Sequence, residues 1–278
     1  MSPGGYAPRH RDPRDPFQRA SDRSLGCRPG GRAAFQETSM FKNLVPVNRE
    51  RHAGTRIRPL QDFRFASAAH IASVTLHEFG RVSGTYPIVF IEDKQNDLFR
   101  PVALLGLETG ENLFIDAEGK WQAHYVPAII RRYPFALAGP DDADNYTVCI
   151  DEGADVVGEG GEGQPLFDES GEPAEALENV RRYLGELQQM DAVTNQCCAF
   201  LGEHNMFTQL NMRFQDGEQM RNIAGCYVVN EERLNNLSDE LFLEMRKRGY
   251  IGPIYGHLAS VAQVDRLVKL RQGAAAAA

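Results

Sequence analysis

The chain has 278 residues, of which 42% are hydrophobic and 24% charged, and its net charge is -8. This balance describes a globular protein able to bury a sizeable core, and it excludes disordered, collagen-like and membrane compositions. The acidic excess argues against nonspecific nucleic-acid binding, which needs phosphate-neutralising cations, and no run of about 18 apolar residues exists to span a bilayer.

The first residues lack the apolar core of a secretory signal. Five cysteines are an odd number, and the vicinal pair Cys197-Cys198 suits neither a structural bridge nor a C-x-x-C metal or redox motif. A reducing, cytoplasmic home is therefore expected.

Residues 1–39 hold five Pro, five Gly, seven Arg and four acids without an apolar period. They read as a disordered leader ahead of a natural start at Met40. Residues 40–157 are expected to form a β-rich lobe. The runs SVTLHEF, YPIVFIED, PVALLGLE, NLFID and YTVCID have strand lengths, and the Gly-, Asn- and Asp-bearing spacers between them permit only antiparallel neighbours. Within this lobe YVPAIIRRYPFAL, residues 125–137, predicts a short helix opened by Pro127 and stopped by Pro134.

Residues 158–172 are acidic and Gly-rich, and read as an exposed linker that includes the start of a short strand at 165–167. A helical lobe follows over 173–272. Pro173 opens a helix with Leu177, Val180, Leu184 and Leu187 on one face, and a second helix covers 192–204. Leu210, Met212 and Phe214 alternate before Asp216-Gly217 and the run Ile223 to Val229 follows, a hairpin signal. Ser238 caps the next helix and Gly249 ends it after a cationic last turn. The last helix starts at Pro253 with Ile254, Leu258 and Val261 aligned, and residues 273–278 read as a frayed tail. The fold class is α+β, an antiparallel β-rich N-terminal half and a helical C-terminal half with one β-hairpin.

Chemistry-bearing motifs are sparse. His70, His77 and Glu78 resemble a facial metal triad in composition, but on a strand they point to different faces. His77 is then a half-buried histidine and Glu78 a solvated carboxylate. GEGGEG carries glutamates that would repel phosphate, and no phosphate-loop, hydrolase or zinc-protease signature occurs. Arg246, Lys247 and Arg248, beside Tyr250 and Tyr255, are accounted for by helix-end electrostatics. No cofactor or metal is expected. Arg131 and Arg132 diverge by about 100° on a helical turn, so one is expected to pair a carboxylate inside while the other covers apolar surface or meets solvent. The alternative is an anion or carboxylate site, since guanidinium groups suit bidentate recognition.

The phrases KNLVPVNRERHAG, SVTLHEF, YPIVFIED, FRPVALLGLETGENLFID, YVPAIIRRYPFAL, PLFDESGEP and RKRGYIGPIYGHLAS together resemble the bacterial SapC family, from about Met40 to Arg271. The family is described as surface-layer related and is distinct from the like-named transporter permease. Its gene surroundings, with TonB-dependent receptors, tryptophan halogenases and cupin-like oxygenases, point to surface nutrient handling. The resemblance implies a soluble accessory protein with a protein partner, tied to surface-layer or envelope uptake systems. It brings no catalytic residues, and no enzyme is expected. The alternatives are a binder of a small carboxylate or anion, or an enzyme of unrecognised type, using Arg131 or Arg132 with His77 or His124, and an exported structural component of the surface layer.

Overall fold

A computed structural model describes residues 40–93, 98–139, 146–216 and 219–277. The leader over 1–39 and Gly217 of the expected hairpin turn lie outside the described residues. The fold is α+β, with every strand pairing antiparallel.

Three short strands and a helical turn open the described chain: β1 (Leu44–Pro46), α1 (Arg49–His52), β2 (Thr55–Ile57) and β3 (Ile71–Ser73). Next come α2 (Phe79–Val82), β4 (Ile88–Asp93) and β5 (Leu98–Leu104). Ile88, Val89 and Phe90 are buried in succession, as are Val102, Ala103 and Leu104, so both faces of this central pair are covered. The chain then forms α3 (Ala128–Arg131), β6 (Phe135–Ala138), β7 (Thr147–Asp151), β8 (Val157–Glu159) and β9 (Gln164–Pro165). The acidic Gly-rich stretch thus supplies strand pairing on either side of β2, while its turn residues 160–162 are exposed.

One helix, α4 (Glu175–Glu203), occupies the span where two were expected. No proline interrupts it, and at 1.5 Å per residue its 29 residues extend for about 44 Å. Between Leu184 and Cys197, across the expected boundary, its buried face changes partner. Leu177 and Leu184 belong to a small core with Phe135, Leu137, Ile150 and Leu166. Cys197, Cys198, Phe200 and Leu201 belong to the large core.

After α4 the strands β10 (Phe207–Gln209), β11 (Met212–Asp216), β12 (Gln219–Ile223) and β13 (Cys226–Val229) follow. β11 and β12 form a hairpin whose second strand is Gln219–Ile223, where the sequence predicts it at 223–229. β10 and β13 join the large sheet, whose order is β10-β13-β4-β5-β3. The smaller sheets are β1-β7-β6 and β8-β2-β9.

The C-terminal helices are α5 (Glu231–Asn235), α6 (Asp239–Lys247), α7 (Ile251–Ser260) and α8 (Val264–Ala277). Ser238 caps α6 through the Leu241 amide, and Gly249 follows it at φ +77°, as the sequence predicts. His257 fixes α7 to the sheet. One ring nitrogen donates to the Ile88 carbonyl at 2.8 Å and the other accepts from the Val229 amide at 3.1 Å. The Ser260 hydroxyl adds an acceptor for the Ile88 amide.

Two expected strands take other forms. In SVTLHEF only Ser73 lies in a strand, since Leu76–Glu78 is a 3₁₀ turn leading into α2. Thr75 and Glu78 stand in the T-x-x-E spacing of a capping box, and the Glu78 carboxylate returns to the Thr75 amide. NLFID makes one isolated bridge, Ile115 to Trp121, around a turn over Asp116–Lys120. The Asp116 carboxylate accepts from the Lys120 amide there, which favours the turn over an extended strand.

Candidate functional site

The capping box places Glu78 inside the protein and His77 outside, the reverse of the sequence expectation. Glu78 is 6% exposed, and its carboxylate accepts four hydrogen bonds. Oε2 takes the Thr75 amide at 2.9 Å and the Thr75 hydroxyl at 3.0 Å. Oε1 takes the Tyr125 phenol and the Ala128 amide, each at 2.8 Å. The Ala128 amide is a first-turn donor of α3 without an intrahelical partner, so Glu78 caps that helix from a distant part of the chain. Two bonds on each oxygen fill the usual acceptor capacity of a carboxylate. Glu78 is consequently a structural anchor.

Tyr125, held by this anchor, organises two guanidinium groups. Arg131 lies 5.3 Å from its ring centroid and Arg81 lies 5.8 Å away. Arg131 also lies 5.7 Å from the Tyr183 ring, donates its Nε–H to the Val126 carbonyl at 3.0 Å and reaches the Tyr125 phenol oxygen at 3.1 Å. Burial, followed by the neighbouring Glu78 charge, pushes the Tyr125 pKa up to about 12. Burial raises that of Tyr183 as well. Both phenols are therefore protonated donors at neutral pH, and Tyr183 uses its hydroxyl on the Ala128 carbonyl at 2.9 Å.

Neither Arg81 nor Arg131 forms an ion pair with a carboxylate among the described residues. The expectation that an arginine of this pair reaches a carboxylate is not met by Arg131, which rests on aromatic faces. Arg132, half-buried, lies 5.9 Å from the Phe41 ring.

Two cavities flank Arg131 and Tyr183. The first, of about 240 Å³, is lined by His77, Glu78, Arg81, Tyr125 and Glu186 together with those two residues. It joins phenols, an imidazole and charges of both signs. The second, of about 290 Å³, is bordered by Arg58, Arg131 and Arg132, with no acidic side chain among the described lining residues. Its remaining wall is largely apolar, with Leu60, Pro134, Val180 and Leu184.

The consecutive arginines thus diverge in their immediate contacts and still border one cavity, because it wraps the end of α3 where Arg132 is the C-cap. Arg131 and His77 meet at the first cavity. His124 is exposed and lines neither of the two. Among the described residues no group of three or more His, Cys, Asp or Glu side chains could hold a metal ion.

Several lining residues escape a reading based on the sequence alone. Arg58, Arg81, Tyr125 and Tyr183 stand far apart in the chain and carry no motif. Glu78 alone has a local signal, the T-x-x-E spacing. Arg248 of the basic cluster is engaged at home, pairing with Glu244 at 2.5 Å and lying 4.8 Å from the Phe200 ring.

No helix among the described residues is long and apolar enough to cross a membrane. No curated protein and no solved structure matches the chain. The SapC family profile matches residues 47–267, a span holding both cavities, the large sheet and α4, and the chain belongs to the SapC family.

Proposed function

We propose that this chain is a non-catalytic accessory protein of the cytoplasm, tied to surface-layer or envelope uptake systems, and that it holds a small carboxylate-bearing molecule at the arginine-bordered cavity. The observation that carries the binding part is the charge of that cavity. Three arginines and no acidic residue stand among its described lining residues, in a chain whose net charge is -8. Arg131 in particular rests on two aromatic rings and two neutral oxygens, and an anionic guest would supply the charged partner these do not. Guanidinium forks match the geometry of a carboxylate. The accessory part rests on family membership and on the surface-layer relation that the resemblance implies.

Binding is tested by native mass spectrometry of the protein purified gently from its host, followed by titration with benzoate and octanoate. The expected result is a stoichiometric carboxylate adduct, and weaker binding by at least tenfold in Arg131→Ala with its circular dichroism unchanged. An adduct-free protein that binds neither probe would sink the reading. The accessory role predicts a reproducible partner after in-cell crosslinking. Recovery of the chain in the surface fraction would instead favour an exported structural component.

A further inference from the structure

Resting on that carboxylate reading, we infer that the ligand is amphipathic, a medium-chain alkyl or an aryl carboxylate whose apolar body fills the second cavity beneath its arginine border. The floor of this cavity is the small core itself. Leu166 and Leu184 line it and are almost fully buried, and Phe135 is nearly so. Val180 and Leu60 add apolar wall from α4 and from the segment after β2.

Protein interiors are close-packed, and a void at the edge of a core forfeits contacts on its open side. The small core has eight buried hydrophobic members, against more than thirty in the large one. A void of about 290 Å³ is therefore large relative to the core it adjoins. This volume lies at the lower edge of the roughly 300–1,000 Å³ found for small-molecule sites. A guest of a few to eight carbons matches it better than a nucleotide or a sugar, since apart from Gln164, Asn179, Tyr133 and Tyr183 the wall beside the arginines is apolar. Among the described lining residues the charged side chains are all arginines, and Arg131, which rests on aromatic rings, suits an anionic end of the guest.

Arg131 is suited to receive that end. Its guanidinium is exposed, tied to one carbonyl and one phenol, and shared between the two cavities with Tyr183. A carboxylate arriving at the border exchanges a neutral partner for a charged one, which strengthens the hydrogen bond. The aromatic stacking on Tyr125 and Tyr183 can persist meanwhile.

The test is a calorimetric and amide-NMR titration of the full chain with butanoate, hexanoate, octanoate and octan-1-ol. Affinity is expected to rise about threefold per methylene, on the order of 100-fold from butanoate to octanoate, as apolar surface leaves water. Octan-1-ol should bind at least tenfold more weakly than octanoate. Val180→Trp, or Leu60→Trp from a separate part of the wall should the first variant fold poorly, should flatten the chain-length series. Equal affinity for butanoate and octanoate would overturn the amphipathic inference and leave the carboxylate reading in place. Undiminished octanoate binding in a folded cavity-filling variant would do the same. Equal binding of octan-1-ol and octanoate, or no binding of any acid, would overturn the carboxylate reading and the inference with it.

Discussion

The phenol of Tyr125 donates to Oε1 of Glu78 at 2.8 Å across 47 positions of sequence. This bond fixes the ring on which Arg81 and Arg131 lie, and the same oxygen holds the first turn of α3. The floor of the first cavity and the placement of the arginine pair thus depend on one buried carboxylate. In Glu78→Gln the amide nitrogen cannot accept, so two of the four donors lose their partner. Each donor left unsatisfied costs about 1–3 kcal/mol, and a total loss of roughly 3 kcal/mol is expected in urea denaturation. Tyr125→Phe removes a single partner and should cost about half as much.

Stability should fall with acid through His257. Burial pushes its pKa down to about 4, and the hydrogen bond to the Ile88 carbonyl opposes that shift only in part. An unfolded histidine titrates near 6.5, so between these values the unfolded chain binds the extra proton. The contribution of this site is complete above about pH 6.5, declines as pH drops towards 4, and levels off below that. The whole window amounts to about 3 kcal/mol. Urea midpoints at pH 7, 6, 5 and 4 should show this slope, and His257→Gln should be less stable at pH 7 with a visibly shallower decline. An unchanged slope in that variant would remove His257 as the cause.

Alanine at two glycines should act with opposite signs. A Cβ on Gly106 would sit 2.3 Å from the Glu111 carbonyl oxygen, a backbone atom that cannot step aside. Gly106→Ala is expected to lose about 2 kcal/mol or more by overpacking. Gly185 lies in the middle of α4 with open space around its missing Cβ. Gly185→Ala should gain about 0.5–1 kcal/mol, because alanine surrenders less backbone entropy in a helix. Thermal melts of the two variants beside the parent decide the matter.

Asp151 closes the other end of the arginine segment. It is fully buried and accepts from the amides of Lys42, Asn43 and Gly153, at 2.9, 2.7 and 3.1 Å. The Tyr133 phenol lies at 3.3 Å from the same carboxylate. Asp151→Asn leaves at least one of these donors unmatched, with an expected cost of about 2 kcal/mol. Because the two oxygens hold the amides of Lys42 and Asn43 separately, either orientation of the asparagine frees one of them, and tryptic cleavage after Lys42 should quicken well before the core unfolds. Equal cleavage rates in variant and parent would contradict this tie.

Much of the fold could be read locally. Ser238 and Gly249 bound α6, Pro127 opens α3, and Asp216 ends the first strand of the hairpin, each where elementary capping and turn rules place it. Local reading failed where a tertiary partner chose between two plausible conformations. SVTLHEF has strand-like composition, yet the Glu78 carboxylate finds donors on Thr75, Tyr125 and Ala128, and these favour a turn. The single helix α4 reads as two in the sequence because its buried face passes from one core to another.

By itself the sequence determined the α+β class, the opening of α3, the caps of α6 and the presence of two adjacent cations in an acidic chain. These follow from periodicity, spacing and composition, which act between near neighbours. Only the tertiary structure decided that Glu78 is buried and His77 exposed, that Arg58 joins Arg131 and Arg132, and that His124 stands apart. Those outcomes depend on which distant segments pack together. A side chain in a sheet or helix can meet partners 50 or more positions away, as Glu78 meets Ala128, and no local pattern encodes that choice.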